Sequence, residues 1–106
     1  MPFDGSTYVA ASPVSRMLME SKQQIEQGWC QHTMRRRGSV CMIGSFTIED
    51  YALFTKAEGL LLQAIGSLGY LHSSVAQFND DLLRTKDQVL EVYDRAIEHS
   101  SPGSAD

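Results

Sequence analysis

Residues 47–68 read TIEDYALFTKAEGLLLQAIGSL and form the most strongly patterned stretch of the chain. Large apolar residues recur there at steps of three and four, which is the spacing of one face of an α-helix. Thr47-x-x-Asp50 resembles a capping box, with Asp where Glu is usual. The pattern predicts a helix over 47–68 whose apolar face anchors a hydrophobic core. Gly59 and Gly66 predict either close packing against another element or a break near Gly66.

Two further helices are predicted on either side of this stretch. Ser12-Pro13 is a typical helix start, and the apolar stripe of Val14, Met17, Leu18 and Ile25 predicts a helix over about 13–27, closed by Gly28. Thr85-x-x-Gln88 matches a capping box and begins a helix over about 85–99. A short helical turn is expected near 74–79, after Ser74.

Residues 29–43, WCQHTMRRRGSVCMI, leave two structures open. Gly38 suits a turn position with positive φ, and a small β-hairpin would place Cys30–Met34 opposite Val40–Met42. An irregular loop leading into a short helix fits nearly as well, because the apolar ends are too short to show a period.

These elements predict an all-α fold, a small single-domain bundle of three main helices with a short helical turn and a possible β-hairpin near 30–43. Residues 1–11 are expected to form a flexible arm, 12–99 the helical domain and 100–106 a disordered tail. Contacts between the first and second helices, across the region of Trp29, are expected to build the core.

The composition excludes several classes of protein. The 106 residues are 42% hydrophobic with a net charge of −4, which is ordinary for a globular domain and does not favour a nucleic-acid partner. No apolar run approaches the ~20 residues of a membrane helix. Two cysteines do not make a disulfide framework, so we expect a reduced, cytoplasmic protein with no membrane association.

No residue pattern indicates catalysis, a metal or a cofactor. Cys30, His32 and Cys41 lie close in sequence, but their spacing is unlike that of structural zinc sites. A disulfide between Cys30 and Cys41 is conceivable across a hairpin, yet buried free thiols are the favoured interpretation. No nucleophile with a base and an orienting group is apparent, so a non-enzymatic protein is predicted.

Two polar groups are candidate ligand-binding sites. One is the basic run Arg35, Arg36 and Arg37, which would suit phosphate or carboxylate but is more often a solvated loop tip. The other is the turn that contains Asn79, Asp80 and Arg84, where Arg84 is expected to bond a carboxylate such as Asp80. Such residues more often organise the backbone than bind a ligand. Structural roles are expected for Trp29, Phe78 and Thr85.

Charge is unevenly distributed along the chain. Residues 1–48 hold five bases and three acids, whereas residues 49–106 hold four bases and ten acids. Four acids of the last predicted helix share one side, because they are spaced at four, three and four residues: Asp87, Glu91, Asp94 and Glu98. This acidic face is the candidate surface for a protein partner, against the plainer interpretation of a solvated face.

Several short motifs stand in a fixed order along the chain. They are Gly28-Trp29-Cys30-Gln31, Val40-Cys41-x-x-Gly44-Ser45, Phe78-Asn79-Asp80, Arg84-Thr85-x-x-x-Val89 and Ala96. In this layout the chain resembles an uncharacterised family of small proteins from soil bacteria and their phages. That family usually has Trp in place of Phe78, Ala in place of Ser45 and Gly in place of His32. The resemblance implies a mostly helical fold in a bacterial or phage cytoplasmic setting and brings no catalytic residues.

The resulting functional hypothesis is a non-enzymatic protein-interaction module, of phage or mobile-element origin, that binds and modulates a bacterial host protein through its acidic helical face. Two alternatives stay open. One is a protein that binds a small molecule or phosphate through the arginine run or the Asn79–Arg84 turn. The other is an architectural homodimer.

Overall fold

The computed structural model describes residues 12–47 and 49–100. Within them the chain is mostly helical and contains, in order, α1 (Pro13–Gln27), β1 (Arg35–Arg36), β2 (Ser39–Val40), α2 (Tyr51–Ser67), α3 (Val75–Asp80) and α4 (Lys86–Ser100). The predicted arm and all but the first residue of the predicted tail lie outside the described residues.

Local capping explains why α1 and α4 begin where the sequence predicts. The Ser12 hydroxyl accepts the N–H of Ser15 at 3.1 Å, ahead of Pro13 in the first turn. At α4, the Gln88 N–H donates to the Thr85 hydroxyl at 3.2 Å and the Thr85 N–H donates to Oε1 of Gln88 at 3.1 Å. Both bonds of a capping box are therefore present.

The predicted start of α2 is wrong by four residues. The helix begins at Tyr51, and Asp50 caps it by accepting the N–H of Leu53 at 3.0 Å. The prediction treated Asp50 as the far half of a box opened by Thr47, but a carboxylate is itself a strong N-cap. The proper cap therefore lies three residues farther along the chain.

The end of α2 is set by Gly69, whose φ of +92° is the left-handed conformation that glycine favours. The Tyr70 N–H then donates to the Ile65 carbonyl at 3.1 Å. The expectation of close packing at Gly59 and Gly66 is wrong, since a Cβ at either position would meet nothing within 4 Å. The alternative of a break near Gly66 agrees with the structure, because the helix ends at Ser67, one residue after Gly66.

The all-α description needs one correction, because a short antiparallel hairpin follows α1. Arg35 pairs with Val40 and Arg36 with Ser39, so the strands lie nearer the turn than predicted. Val40 also forms backbone hydrogen bonds on the edge of β2 that faces away from β1. Its carbonyl accepts the Cys30 N–H at 3.0 Å, and its N–H donates to the Gly28 carbonyl at 2.9 Å. The segment of Cys30 therefore runs parallel beside β2 rather than forming the hairpin arm.

Helix α4 is the centre of the core. It packs against both α1 and α2 more extensively than those helices pack against each other, whereas the prediction gave that place to the contact between α1 and α2. The inner face of α4 supplies the fully buried residues Val89, Val92, Tyr93 and Ala96. Within the described residues, no helix has both the length and the apolar character needed to cross a membrane.

Candidate functional site

Asn79 connects the end of α3 to the segment around the hairpin. Its side chain is 1% exposed and makes four hydrogen bonds. Oδ1 accepts from Trp29 Nε1 at 2.8 Å and from the Met42 N–H at 3.1 Å, while Nδ2 donates to the Cys30 carbonyl at 3.2 Å and to Oδ1 of Asp80 at 2.8 Å. These bonds use the full capacity of a primary amide, which leaves nothing for a ligand.

Two neighbours extend this connection. Nε2 of Gln31 donates to the carbonyls of Asn79 and Asp81 at 3.0 and 2.8 Å, which satisfies backbone groups at the end of α3. The His32 N–H donates to Oδ1 of Asp80 at 2.8 Å. The motifs around Trp29 and Asn79 are thus parts of one hydrogen-bonded structure.

His32 has an unusual backbone conformation at this junction. Its φ of 69° lies in the left-handed region, where a non-glycine residue is strained. A glycine at this position would adopt this conformation freely.

A pocket of about 250 Å³ opens beside this junction. We call it the Asp80 pocket, and its lining residues are His32, Thr33, Met34, Cys41, Ile43, Ala76, Asn79 and Asp80. Most of the surface that it exposes is apolar. Asp80 thus faces this pocket and the His32 backbone, rather than Arg84 as the sequence predicted.

The Arg84 side chain packs against Phe78 of α3. Its side chain is 6% exposed, and its guanidinium lies 3.7 Å from the centre of the Phe78 ring. Nε donates to the Phe78 carbonyl at 2.9 Å and Nη1 to Oε1 of Gln88 at 3.0 Å. The nearest carboxylate is that of Asp81, at 3.8 Å, so the expected bond to Asp80 is not formed.

His72 brings together the two connections that flank α3. Its Nε2 lies 3.1 Å from Nη2 of Arg84 and 3.3 Å from Oδ2 of Asp81. Its ring also packs edge-on against Phe78, with centroids 5.8 Å apart. The connection before α3 is therefore held against the connection after it.

Three leucines in these connections are almost fully exposed, at 94% for Leu71, 90% for Leu82 and 82% for Leu83. We call residues 68–74 and 81–85 the leucine loops. Sequence reasoning did not single out these side chains. The sequence could have indicated their exposure, because all three lie in connections between the predicted helices and belong to none of the apolar stripes that face the core.

The four acids predicted as a partner surface all lie on the exposed side of α4. Asp94 is 2.7 Å from Nζ of Lys22, and Glu98 is 3.7 Å from Nε of Arg95. Glu91 lies beside the first leucine loop and accepts a hydrogen bond from the Tyr70 hydroxyl at 3.5 Å. Asp87 lies in the first turn, where a negative charge stabilises the helix.

The three predicted basic residues form the tip of the hairpin. Arg35, Arg36 and Arg37 are exposed, and Arg37 and Gly38 both have positive φ, at 50° and 85°. Two consecutive residues of this kind are characteristic of a type I′ turn. The structure brings no residue of the Asn79–Arg84 turn into hydrogen-bonding contact with this tip.

A second buried polar cluster lies between α1 and α4. The Tyr93 hydroxyl is hydrogen-bonded to Ser21 at 2.6 Å, and Ser21 is also bonded to Ser45. The Ser45 hydroxyl donates to the Met42 carbonyl at 2.6 Å. Burial raises the pKa of Tyr93 to about 12, so the hydroxyl stays protonated and acts in packing and hydrogen bonding.

Burial makes Cys30 a poor nucleophile. Cys30 and Cys41 are buried free thiols, and burial raises the pKa of the Cys30 thiol. A raised pKa lowers the fraction of reactive thiolate. Among residues 12–47 and 49–100, no three His, Cys, Asp or Glu side chains lie close enough together to hold a metal ion.

Comparison with known proteins identifies a family and no individual relative. No curated protein matches the chain, and no solved structure matches it. Residues 10–99 match the family described as Family of unknown function (DUF6197). That range includes the two buried polar clusters, the Asp80 pocket and both leucine loops. The chain therefore belongs to this family of unknown function, DUF6197.

Proposed function

We propose that this chain is a non-enzymatic protein-interaction module that binds its partner through the leucine loops. The observation that carries the proposal is the near-complete exposure of Leu71, Leu82 and Leu83. Single exposed apolar residues are common on protein surfaces, but adjacent ones, such as Leu82 and Leu83, are more typical of contact surfaces. Here the two segments that carry them are held together by His72.

Rigid presentation favours binding. A flexible loop loses conformational freedom when it docks, whereas a loop that is already fixed does not pay this cost. The contacts of His72 with Asp81 and Arg84 provide that fixation, and Arg84 is fixed in turn on the Phe78 ring. We therefore assign Arg84 the role of positioning the leucine loops, in place of the role of binding phosphate.

Charge near the leucines indicates the chemistry of the partner. Asp87 is exposed and follows Leu83 by four residues. Glu91 touches the first leucine loop through Tyr70. We infer that the partner is a protein with an apolar depression bordered by basic residues, because complementary charge increases both the rate and the specificity of association.

This proposal keeps part of the acidic-face hypothesis and changes its centre. Asp87 and Glu91 remain contact residues at the border of the leucine loops, while Asp94 and Glu98 have ion-pair partners within the chain. We place the interaction in the bacterial cytoplasm, with a host protein as the partner of a phage or mobile-element product.

The experiment is capture from a bacterial lysate with the immobilised chain, followed by affinity measurement with the purified partner. The test variant is Leu71→Ser/Leu82→Ser/Leu83→Ser. The matched control is Met19→Ser/Tyr51→Ser, which removes exposed apolar surface at 40% and 74% exposed positions on α1 and α2. We expect the test variant to lose about tenfold or more in affinity, as for residues at the centre of an interface, and the control to bind normally.

Two further variants separate the steps of the argument. His72→Ala keeps all three leucines and removes the contacts of His72 with Asp81 and Arg84, while the Arg84 guanidinium stays over the Tyr70 ring. A weaker affinity is therefore expected from partial loss of fixation alone. Asp87→Lys/Glu91→Lys should slow association and weaken its dependence on salt. Asp94→Lys is a poor test, because it would place two amines together at Lys22.

Light scattering at several concentrations tests the homodimer alternative. A dimer that the leucine-to-serine variant dissociates would assign the loops to a second copy of the chain and overturn the proposal of a different partner. Partner binding that the serine variant leaves unchanged would also overturn it.

A further inference from the structure

We propose that the Asp80 pocket binds a small organic cation, with its ammonium group on the Asp80 carboxylate and its apolar body against Met34, Ile43 and Ala76. This inference depends on the pocket alone and not on the function proposed for the leucine loops, since none of the three leucines lines the pocket.

The size and the walls of the pocket define the body of the ligand. Its volume of about 250 Å³ lies just below the range of pockets that hold drug-sized molecules, so a single ring or a short branched chain is the appropriate occupant. A thioether, an isoleucine, a methyl group and the Cys41 thiol make up the apolar walls. These surfaces favour an uncharged, hydrophobic body.

Charge defines the head group. Asp80 is the one carboxylate among the eight residues that line the pocket, and no Lys or Arg is among them. A carboxylate beside apolar walls attracts a cation more strongly than one surrounded by water, because the local dielectric is lower. An ammonium group is therefore favoured over a neutral hydroxyl or an anion.

The carboxylate is preorganised for this role. The His32 N–H and Nδ2 of Asn79 both donate to Oδ1 of Asp80, each at 2.8 Å. Both hydrogen bonds that the described residues make to this carboxylate thus go to one oxygen, which leaves Oδ2 as the acceptor for a ligand. A side chain fixed before binding loses little entropy when the ligand arrives.

Backbone strain occurs at the same place. The Asp80 pocket is lined by His32, whose φ of 69° is unfavourable for a residue with a side chain. Strained residues of this kind persist where the surrounding structure fixes them, and they cluster at ligand sites. Here the His32 N–H is fixed by the very carboxylate that we assign to the ligand.

The test is an NMR titration of the ¹⁵N-labelled chain with benzylamine as the probe. Benzyl alcohol is the matched neutral probe, with the same ring and no charge. We expect benzylamine to shift the amide resonances of Thr33, Ile43 and Ala76, and benzyl alcohol to bind about tenfold more weakly, as is usual for loss of a charge-assisted hydrogen bond.

Two variants locate the site. Asp80→Asn keeps an oxygen for the His32 and Asn79 donors but removes the charge, so it should weaken benzylamine binding about tenfold with little effect on benzyl alcohol. Ala76→Leu occupies the pocket and should abolish the binding of both probes. Circular dichroism shows whether each variant is folded. If Asp80→Asn does not fold, Ala76→Leu alone tests whether the probes bind in this pocket.

Three results would overturn the proposal. They are shifts confined to resonances outside the pocket, equal affinity for the amine and the alcohol, and benzylamine binding that survives Ala76→Leu. The leucine-to-serine variant described above should bind benzylamine normally, which separates this site from the partner surface.

Discussion

The indole Nε1 of Trp29 donates to Oδ1 of Asn79 at 2.8 Å, across a separation of 50 residues. The same oxygen accepts the Met42 N–H, so one amide joins α3 to the segments on both sides of the hairpin. The sequence motifs around Trp29 and Asn79 are thereby explained as the two halves of one contact.

Asn79→Ala should strongly destabilise the chain. The substitution leaves the Trp29 indole N–H, the Met42 N–H and the Cys30 carbonyl without their partner. An unpaired buried polar group costs about 1–3 kcal/mol, so we expect a loss of about 3 kcal/mol or more in the free energy of unfolding. Urea denaturation followed by circular dichroism measures it.

The control for this prediction is Gln23→Ala, at an exposed position on α1. It should change the free energy of unfolding by less than about 0.5 kcal/mol, as is usual at the surface. Equal effects of the two substitutions would show that the Asn79 amide does not hold these segments together.

Stability should fall at alkaline pH because of Tyr93. Burial raises the pKa of its hydroxyl from 10.0 to about 12. Above pH 10 the unfolded state releases this proton while the folded state retains it, so ionisation favours unfolding. The contribution is complete below pH 10 and is lost up to a pH of about 12, amounting to at most about 3 kcal/mol. Chemical denaturation at a series of pH values measures it.

Tyr93→Phe supplies the comparison. The variant loses the bond to Ser21 and should be less stable at neutral pH, but its stability should decline less steeply above pH 10. The hydrogen bond to Asp94 raises the pKa of Lys22, which also loses stabilising charge in the alkaline range. This second effect is common to both proteins, and parallel pH profiles would therefore contradict the role assigned to Tyr93.

Helix positions could be predicted largely because their signals are local. Ser12 and Thr85 cap the residues that directly follow them, and the apolar stripes report which side of each helix is buried. The start of α2 could not be settled in this way, since Thr47 and Asp50 are both acceptable caps. Local sequence does not say which one the chain uses.

The candidate sites were less predictable, because they depend on contacts between distant segments. The sequence marks Asp80 and Arg84 as neighbours in one turn, but the fold sends Asp80 towards His32 and Arg84 towards Phe78. The Asp80 pocket combines residues from before and after the hairpin with residues of α3. The exposure of Leu71 likewise depends on which surfaces the other helices cover.

Arg37→Asn should stabilise the hairpin. Arg37 has a φ of 50° and precedes Gly38 at 85°, so the substitution creates the Asn-Gly pair that type I′ turns favour. The side chain is exposed and loses no buried contact. We expect a gain of about 0.5–1 kcal/mol, seen as a higher melting temperature, because Asn tolerates the left-handed conformation better than Arg does. Arg36→Asn is the control, since it alters the charge equally outside the strained position. An equal rise in that variant would attribute the gain to charge rather than to the turn.

Two glycine substitutions should have opposite effects. A Cβ at Gly59 would meet nothing within 4 Å, and the residue lies inside α2, so Gly59→Ala should stabilise the chain by about 0.5–1 kcal/mol through better helix propensity.

A Cβ at Gly44 would lie 2.2 Å from the Met34 carbonyl oxygen, which is backbone and cannot rotate away. Gly44→Ala must therefore displace one side of the Asp80 pocket and should destabilise the chain by more than about 1 kcal/mol. Thermal unfolding of both variants measures the difference. If Gly44→Ala stabilises the chain, this close approach does not exist in solution. Met34 and Ile43 would then not form the pocket wall in the positions described.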